Sequence, residues 1–82
     1  MRAMVEKVNF KRSLVTCEID GYDYGWLEIL DSVEVEPEEI IEGPFTTLGE
    51  AKIYKRSTGE TINVFIEDYG MSRQKAIGMI MR

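Results

Sequence analysis

Three aromatic residues, Tyr22, Tyr24 and Trp26, occupy every second position of one short segment. On an extended strand, alternate residues share a face. Such a row turns flat π-surfaces to one side, and these stack on nucleobases for about 1–3 kcal/mol per base. Phosphates would need cations, and Lys11, Arg12, Lys52 and Arg56 are the candidates to supply them. The chemistry expected of this set is non-covalent, a single-stranded oligonucleotide laid across an aromatic sheet face. The same residues support a competing reading. Gly25 marks a bulge or bend that would turn Trp26 inward, and aromatic rings dominate small cores.

A second constellation has the opposite sign. Glu34, Glu36, Glu38, Glu39 and Glu42 crowd into residues 33–45 together with both prolines. They belong to a longer interval, residues 17–50, that holds eleven acidic side chains and no lysine or arginine. The flanking stretches, 1–16 and 51–82, each carry a net +3, which leaves -5 for the whole chain. Opposite charges on neighbouring strands support pairing, so the fold can neutralise itself. The alternative is an acidic surface for a basic protein. Calcium requires oxygens converging at fixed loop spacing with a glycine to turn the chain. Glu36-Pro37-Glu38-Glu39 lacks that arrangement, so no metal is expected.

Catalytic chemistry finds little support. The chain has no histidine. That removes Ser–His and Cys–His nucleophile pairs, the commonest general base and the usual zinc ligand. The one cysteine, Cys17, forms neither an internal disulfide nor a Cys-x-x-Cys zinc pattern. It falls on an apolar strand face with nothing placed to activate it, so a buried thiol is expected. Ser57, Thr58 and Ser72 also lack a base. The expectation is a non-catalytic binding module without cofactor. Its partner would be single-stranded nucleic acid or a basic protein, with a structural subunit of a larger assembly as the third class. No run approaches the roughly 20 apolar residues of a membrane span, and residues 1–7 lack the apolar core of a signal peptide. One small cytoplasmic domain over 1–82 is therefore expected, with no membrane partner.

The elements that would position these residues are read from periodicity. Residues 2–10 read as a strand, with Met4, Val8 and Phe10 on one side and Ala3 and Val5 on the other, and with a short helix as the alternative. Residues 14–19 alternate cleanly, setting Val15, Cys17 and Ile19 against Leu14, Thr16 and Glu18. Asp20-Gly21 is a hairpin turn, because both residues tolerate positive φ. The aromatic strand follows over 22–30. Val33 and Val35 begin another strand, which Pro37 ends for want of an N–H. Ile40 and Ile41 resume pairing, and Gly43-Pro44 breaks it.

Residues 47–57 are ambiguous. Thr47-Leu48-Gly49-Glu50 fits a capping box and would start a helix over 47–57, giving an α+β domain. Ala51 and Ile53 also alternate with Lys52, Tyr54 and Arg56. The Ser57-Thr58-Gly59 turn ahead of the strand at 60–67 favours a hairpin, hence a strand. Asp68-Tyr69-Gly70 closes the sheet. Ser72 caps a short terminal helix over 72–82, with an edge strand as the alternative. Six or seven short strands joined by tight turns indicate an all-β barrel.

Val33-x-Val35, the acidic turn at Pro37-Glu38-Glu39 and Ile40-Ile41-Glu42-Gly43 together resemble a segment of OB-fold, S1-like and SH3-like barrels. The resemblance implies a small OB/SH3-like barrel with a short C-terminal helix or strand. It also implies that the face bearing Tyr22, Tyr24 and Trp26 is the one OB-folds use for oligonucleotides. The chain departs from the pattern at its turn, which has Pro37-Glu38 and no glycine beside an aspartate. RNA-binding relatives also carry a more basic surface.

Overall fold

The computed structural model describes residues Met1–Arg82. Six strands form it: β1 (Arg2–Asn9), β2 (Leu14–Ile19), β3 (Asp23–Ile29), β4 (Ile40–Glu42), β5 (Gly49–Lys55) and β6 (Thr61–Met71). All pair antiparallel and close into a barrel in the order β1-β2-β3-β6-β5-β4, with β4 returning beside β1. Closure leaves no sheet edge. One helix, α1 (Arg73–Ile80), follows, and the Ser72 side chain caps it by accepting from the Lys75 N–H at 3.2 Å.

Period-two patterning places the core. Val5, Val15, Cys17, Leu27, Ile41, Ile53, Ile62, Val64 and Ile66 point inward and belong to one buried cluster. Asp20 and Gly21 make their turn with φ of 53° and 88°, as that dipeptide permits. Residues 49–55 are strand and not helix. They pair with β6 from Gly49↔Ile66 to Tyr54↔Thr61. Gly49 has φ 104°, which no first helical turn accommodates, so the capping pattern at Thr47 loses to the ladder.

Several local expectations give way. In β1 a bulge lies between Val5 and Lys7, so Val8 comes round to the core side with Ala3 and Val5. Phe10 sits exposed in the turn beyond β1. Val33 and Val35 form no strand. The Leu30 N–H closes the β3–β6 ladder on the Asn63 carbonyl at 2.9 Å. Asp31 then diverts the chain, accepting from the Asn63 N–H at 2.9 Å and the Val33 N–H at 3.2 Å. The segment crosses the barrel mouth, where Val35 enters the core. It is fastened to β1 by Glu38 N–H to the Val5 carbonyl (2.7 Å) and Val5 N–H to the Glu39 carbonyl (2.9 Å). Asp68-Tyr69-Gly70 does not end the sheet either. β6 runs on to Met71 through register shifts opposite Trp26, and Gly70 takes the left-handed φ of 73° that such a bulge needs.

Asp31 gives the crossover a pH dependence. The Asn63 backbone N–H, helped by the Val33 N–H and the Asn63 side chain, holds its carboxyl below the ordinary range. A group with a lowered folded pKa stabilises fully above its unfolded value, about 3.9 for aspartate, and loses that contribution as pH falls through the folded value. Urea midpoints measured from neutral pH downward should therefore decline in that window. Asp31→Asn should lower the neutral-pH midpoint and flatten this part of the decline. An unchanged profile would mean the carboxylate does not hold the crossover.

Helix α1 packs on the outer side of β1, β2 and β3. Leu14 and Thr16 point outward by alternation yet are buried, as are Ala76 and Ile80 of the helix. Polar ties hold both helix ends. Arg73 forms an ion pair with Glu6, the bulge residue of β1. At the other end the Asn9 side-chain amide donates to the Ile80 carbonyl (2.6 Å), and the Arg12 guanidinium donates to the Arg82 carbonyl (2.9 Å). The last carbonyls of a helix have no partner within it; Asn9, at the end of β1, supplies one to Ile80, while Arg12 of the β1–β2 turn holds the residue pair that follows the helix.

Candidate interaction surfaces

The barrel places the aromatic row on its outer wall, but three different environments result. Tyr22, in the hairpin turn, is 84% exposed. Tyr24 is half-buried, and its hydroxyl donates to Glu18 Oε2 at 2.8 Å, a bond that raises the phenol's pKa. Trp26 lies on the wall that α1 covers, opposite the fully buried Thr16. Its indole N–H is buried without an acceptor. The row therefore offers one free ring and two half-buried ones, of which Tyr24 is tied through its hydroxyl.

The four candidate phosphate ligands do not converge on it. Lys11 is exposed in the β1–β2 turn, where Arg12 is engaged with the helix C-terminus. Lys52 lies on β5 opposite Asn63, level with Leu30, and Arg56 lies in the β5–β6 turn. Two strand spacings and four residue rises separate Lys52 from Trp26, about 16 Å between backbones. Lys52 is instead flanked on the outer wall by the exposed rings of Tyr54 and Phe65.

The acidic set is divided as well. Glu34, Glu36 and Glu38 are exposed on the crossover and take part in no ion pair. Glu38 holds the unusual φ of 74° that lets the chain turn back toward β1. Glu39 folds inward: one oxygen accepts from the Glu36 N–H at 3.0 Å and the other lies 3.4 Å from Lys55 Nζ. Lys55 also reaches Glu60 at 3.8 Å. Glu42 is half-buried on β4, paired in register with Arg2 on one side and Tyr54 on the other.

Glu42 has neighbours that periodicity along single strands did not single out. Across the outer face of β4, β1 and β2 runs an open groove of about 590 Å³. Met1, Met4 and Ile40 contribute its apolar lining, and Glu18, Asp20, Glu42 and Arg2 its charges. The sequence signal was present. Glu18, Asp20 and Glu42 all lie in the interval without lysine or arginine. Only the closure of β4 onto β1 brings the two ends of that interval together.

Cys17 is buried, and that burial pushes its thiol up to about 12, so it stays a protonated core thiol. No three acidic or cysteine side chains converge in a way that would hold a metal ion. No helix is long and apolar enough to cross a membrane. The architecture is that of a small closed antiparallel barrel with a terminal helix, consistent with an OB- or SH3-like domain. The chain matches no family model, no curated protein and no solved structure.

Proposed function

We propose that this chain is a non-catalytic binding module that presents an acidic surface to a basic protein. The observation that carries the reading is the fate of the charges on folding. Three of the ten basic side chains, Arg12, Lys55 and Arg73, are engaged inside the molecule, while Glu34, Glu36 and Glu38 stand free. A net charge of -5 then acts outward, speeding encounter with cations and opposing phosphate. The barrel kind is read as OB- or SH3-like from the closed six-strand order and the return of β4 beside β1. A reducing, cytoplasmic setting suits the single free thiol.

A second reading, oligonucleotide binding, is favoured by one observation. Tyr22 is open, and Lys52 lies between the exposed Tyr54 and Phe65. Ligand sign separates the two. At low salt, an arginine- and lysine-rich peptide should bind, as followed by anisotropy of a dye on the peptide. A single-stranded oligonucleotide should not. Oligonucleotide binding with quenched tyrosine emission would reverse the order of the readings. Binding of neither ligand would leave the structural-subunit role. Salt dependence alone decides nothing, since both complexes would weaken with salt.

A further inference from the structure

We propose that the groove across β4, β1 and β2 is where a basic partner docks, through a segment that sets a lysine or arginine between apolar side chains. This rests on the reading of the chain as a module for basic proteins and adds the place and the motif. Register defines the site. Ile40, Met4 and Glu18 stand in one row across three strands, since Met4 pairs with both Ile40 and Glu18. Glu42 and Arg2 form the adjacent row, and the Asp20 N–H bonds the Arg2 carbonyl at 3.0 Å, which brings the third carboxylate alongside. Methionine side chains are flexible and polarizable, so a lining of Met1 and Met4 adapts to varied apolar partners.

Charge decides the occupant. The charged side chains that line the groove are three carboxylates, Glu18, Asp20 and Glu42, and one guanidinium, Arg2, so it favours a cation over a phosphate. Glu18 keeps a free oxygen, because Tyr24 uses only Oε2. Backbone strand addition is closed to the partner, since a barrel presents no sheet edge. Recognition must then run through side chains: apolar groups on Met4 and Ile40, and a cation among Glu18, Asp20 and Glu42. Part of the β1–β3 outer wall, around Leu14 and Thr16, is already occupied by α1.

The test uses a dye-labelled peptide that alternates arginine with leucine. Glu18→Gln with Glu42→Gln should weaken it about tenfold, as loss of charge-assisted contacts does. Glu34→Gln with Glu36→Gln, which alters charge equally outside the groove, should leave affinity within about twofold. Glutamine keeps an acceptor for Tyr24, and circular dichroism verifies the fold of each variant. Independently of any variant, methyl resonances of Met1, Met4 and Ile40 in the unaltered protein should shift on titration. Tight binding by the groove variant with loss in the crossover variant would overturn the groove and leave the acidic-module reading intact. Unshifted methyl resonances on a bound complex would overturn it likewise. A peptide that fails to bind the unaltered protein would overturn both.

Discussion

Replacing Phe45 by alanine should cost about 3–5 kcal/mol, the largest loss expected from any single truncation in this chain. Phe45 is the largest fully buried side chain, at 1% exposure. It comes from the turn between β4 and β5, and it enters the core from the barrel end opposite the one that Val35 enters. A small barrel has few interior positions, and strand residues fill its middle while its ends stay open. Val35 and Phe45 close those ends, each supplied by an irregular connection. Removing the ring leaves a void lined by strands that are bonded to both neighbours and cannot collapse inward. Total stability for this length is about 4–12 kcal/mol, so the variant would stand near its unfolding threshold. Urea denaturation should show a much lower midpoint with an unchanged slope. A loss under about 1 kcal/mol would place the ring outside the core.

Neither Val35 nor Phe45 could be assigned this role from local pattern, and the reason is general to the chain. Alternation reveals which residues share a strand face, and it located β2, β3, β5 and the first half of β6 because Val15, Cys17, Ile19, Leu27, Ile29, Ile53, Ile62 and Val64 obey it. It is silent where burial comes from the far side of the barrel. Val33-x-Val35 imitates a strand by composition, but Asp31 draws the chain off the ladder through contacts with Asn63, a residue on another strand. The bulge at Glu6 and those in β6 lie against partners from distant parts of the chain, Arg73 and β3 respectively. Leu14 and Thr16 illustrate the same limit. Period two places them outside, and only α1, arriving from the other end of the chain, buries them.

The interaction surfaces follow the same rule. Charge segregation along the sequence is plain, yet which carboxylates remain free depends on tertiary partners. Lys55 takes Glu39, while Glu34, Glu36 and Glu38 find none. Spacing alone makes Tyr22, Tyr24 and Trp26 equivalent. Packing makes them different, through Glu18 for Tyr24 and through the helix-covered wall for Trp26.

Gly25→Ala should be nearly as damaging as the loss of Phe45, at about 3 kcal/mol, the upper end of ordinary overpacking. A Cβ at position 25 would lie 2.6 Å from the Asp68 carbonyl oxygen, 3.1 Å from Tyr69 Cα and 3.2 Å from Ile19 Cδ1. Comfortable separations between carbon atoms are about 3.5–4.0 Å. Two of these three atoms are backbone, and they belong to the bulged part of β6. That backbone is itself restrained: Asp68 accepts from the Tyr69 N–H at 2.8 Å, and Asp23 accepts from the Gly70 N–H at 3.1 Å. Relief must then come from moving β3 away from β6, which shifts Trp26 and the wall beneath α1. Gly78 is the matched control. It lies inside α1 with nothing within 4 Å of an added Cβ, so Gly78→Ala should stabilise by about 0.5–1 kcal/mol. Urea titrations followed by tryptophan emission give both values, and native emission of Gly25→Ala should differ from that of the parent. A Gly25→Ala variant as stable as the parent, with unaltered emission, would mean that β6 does not press against β3 at this bulge.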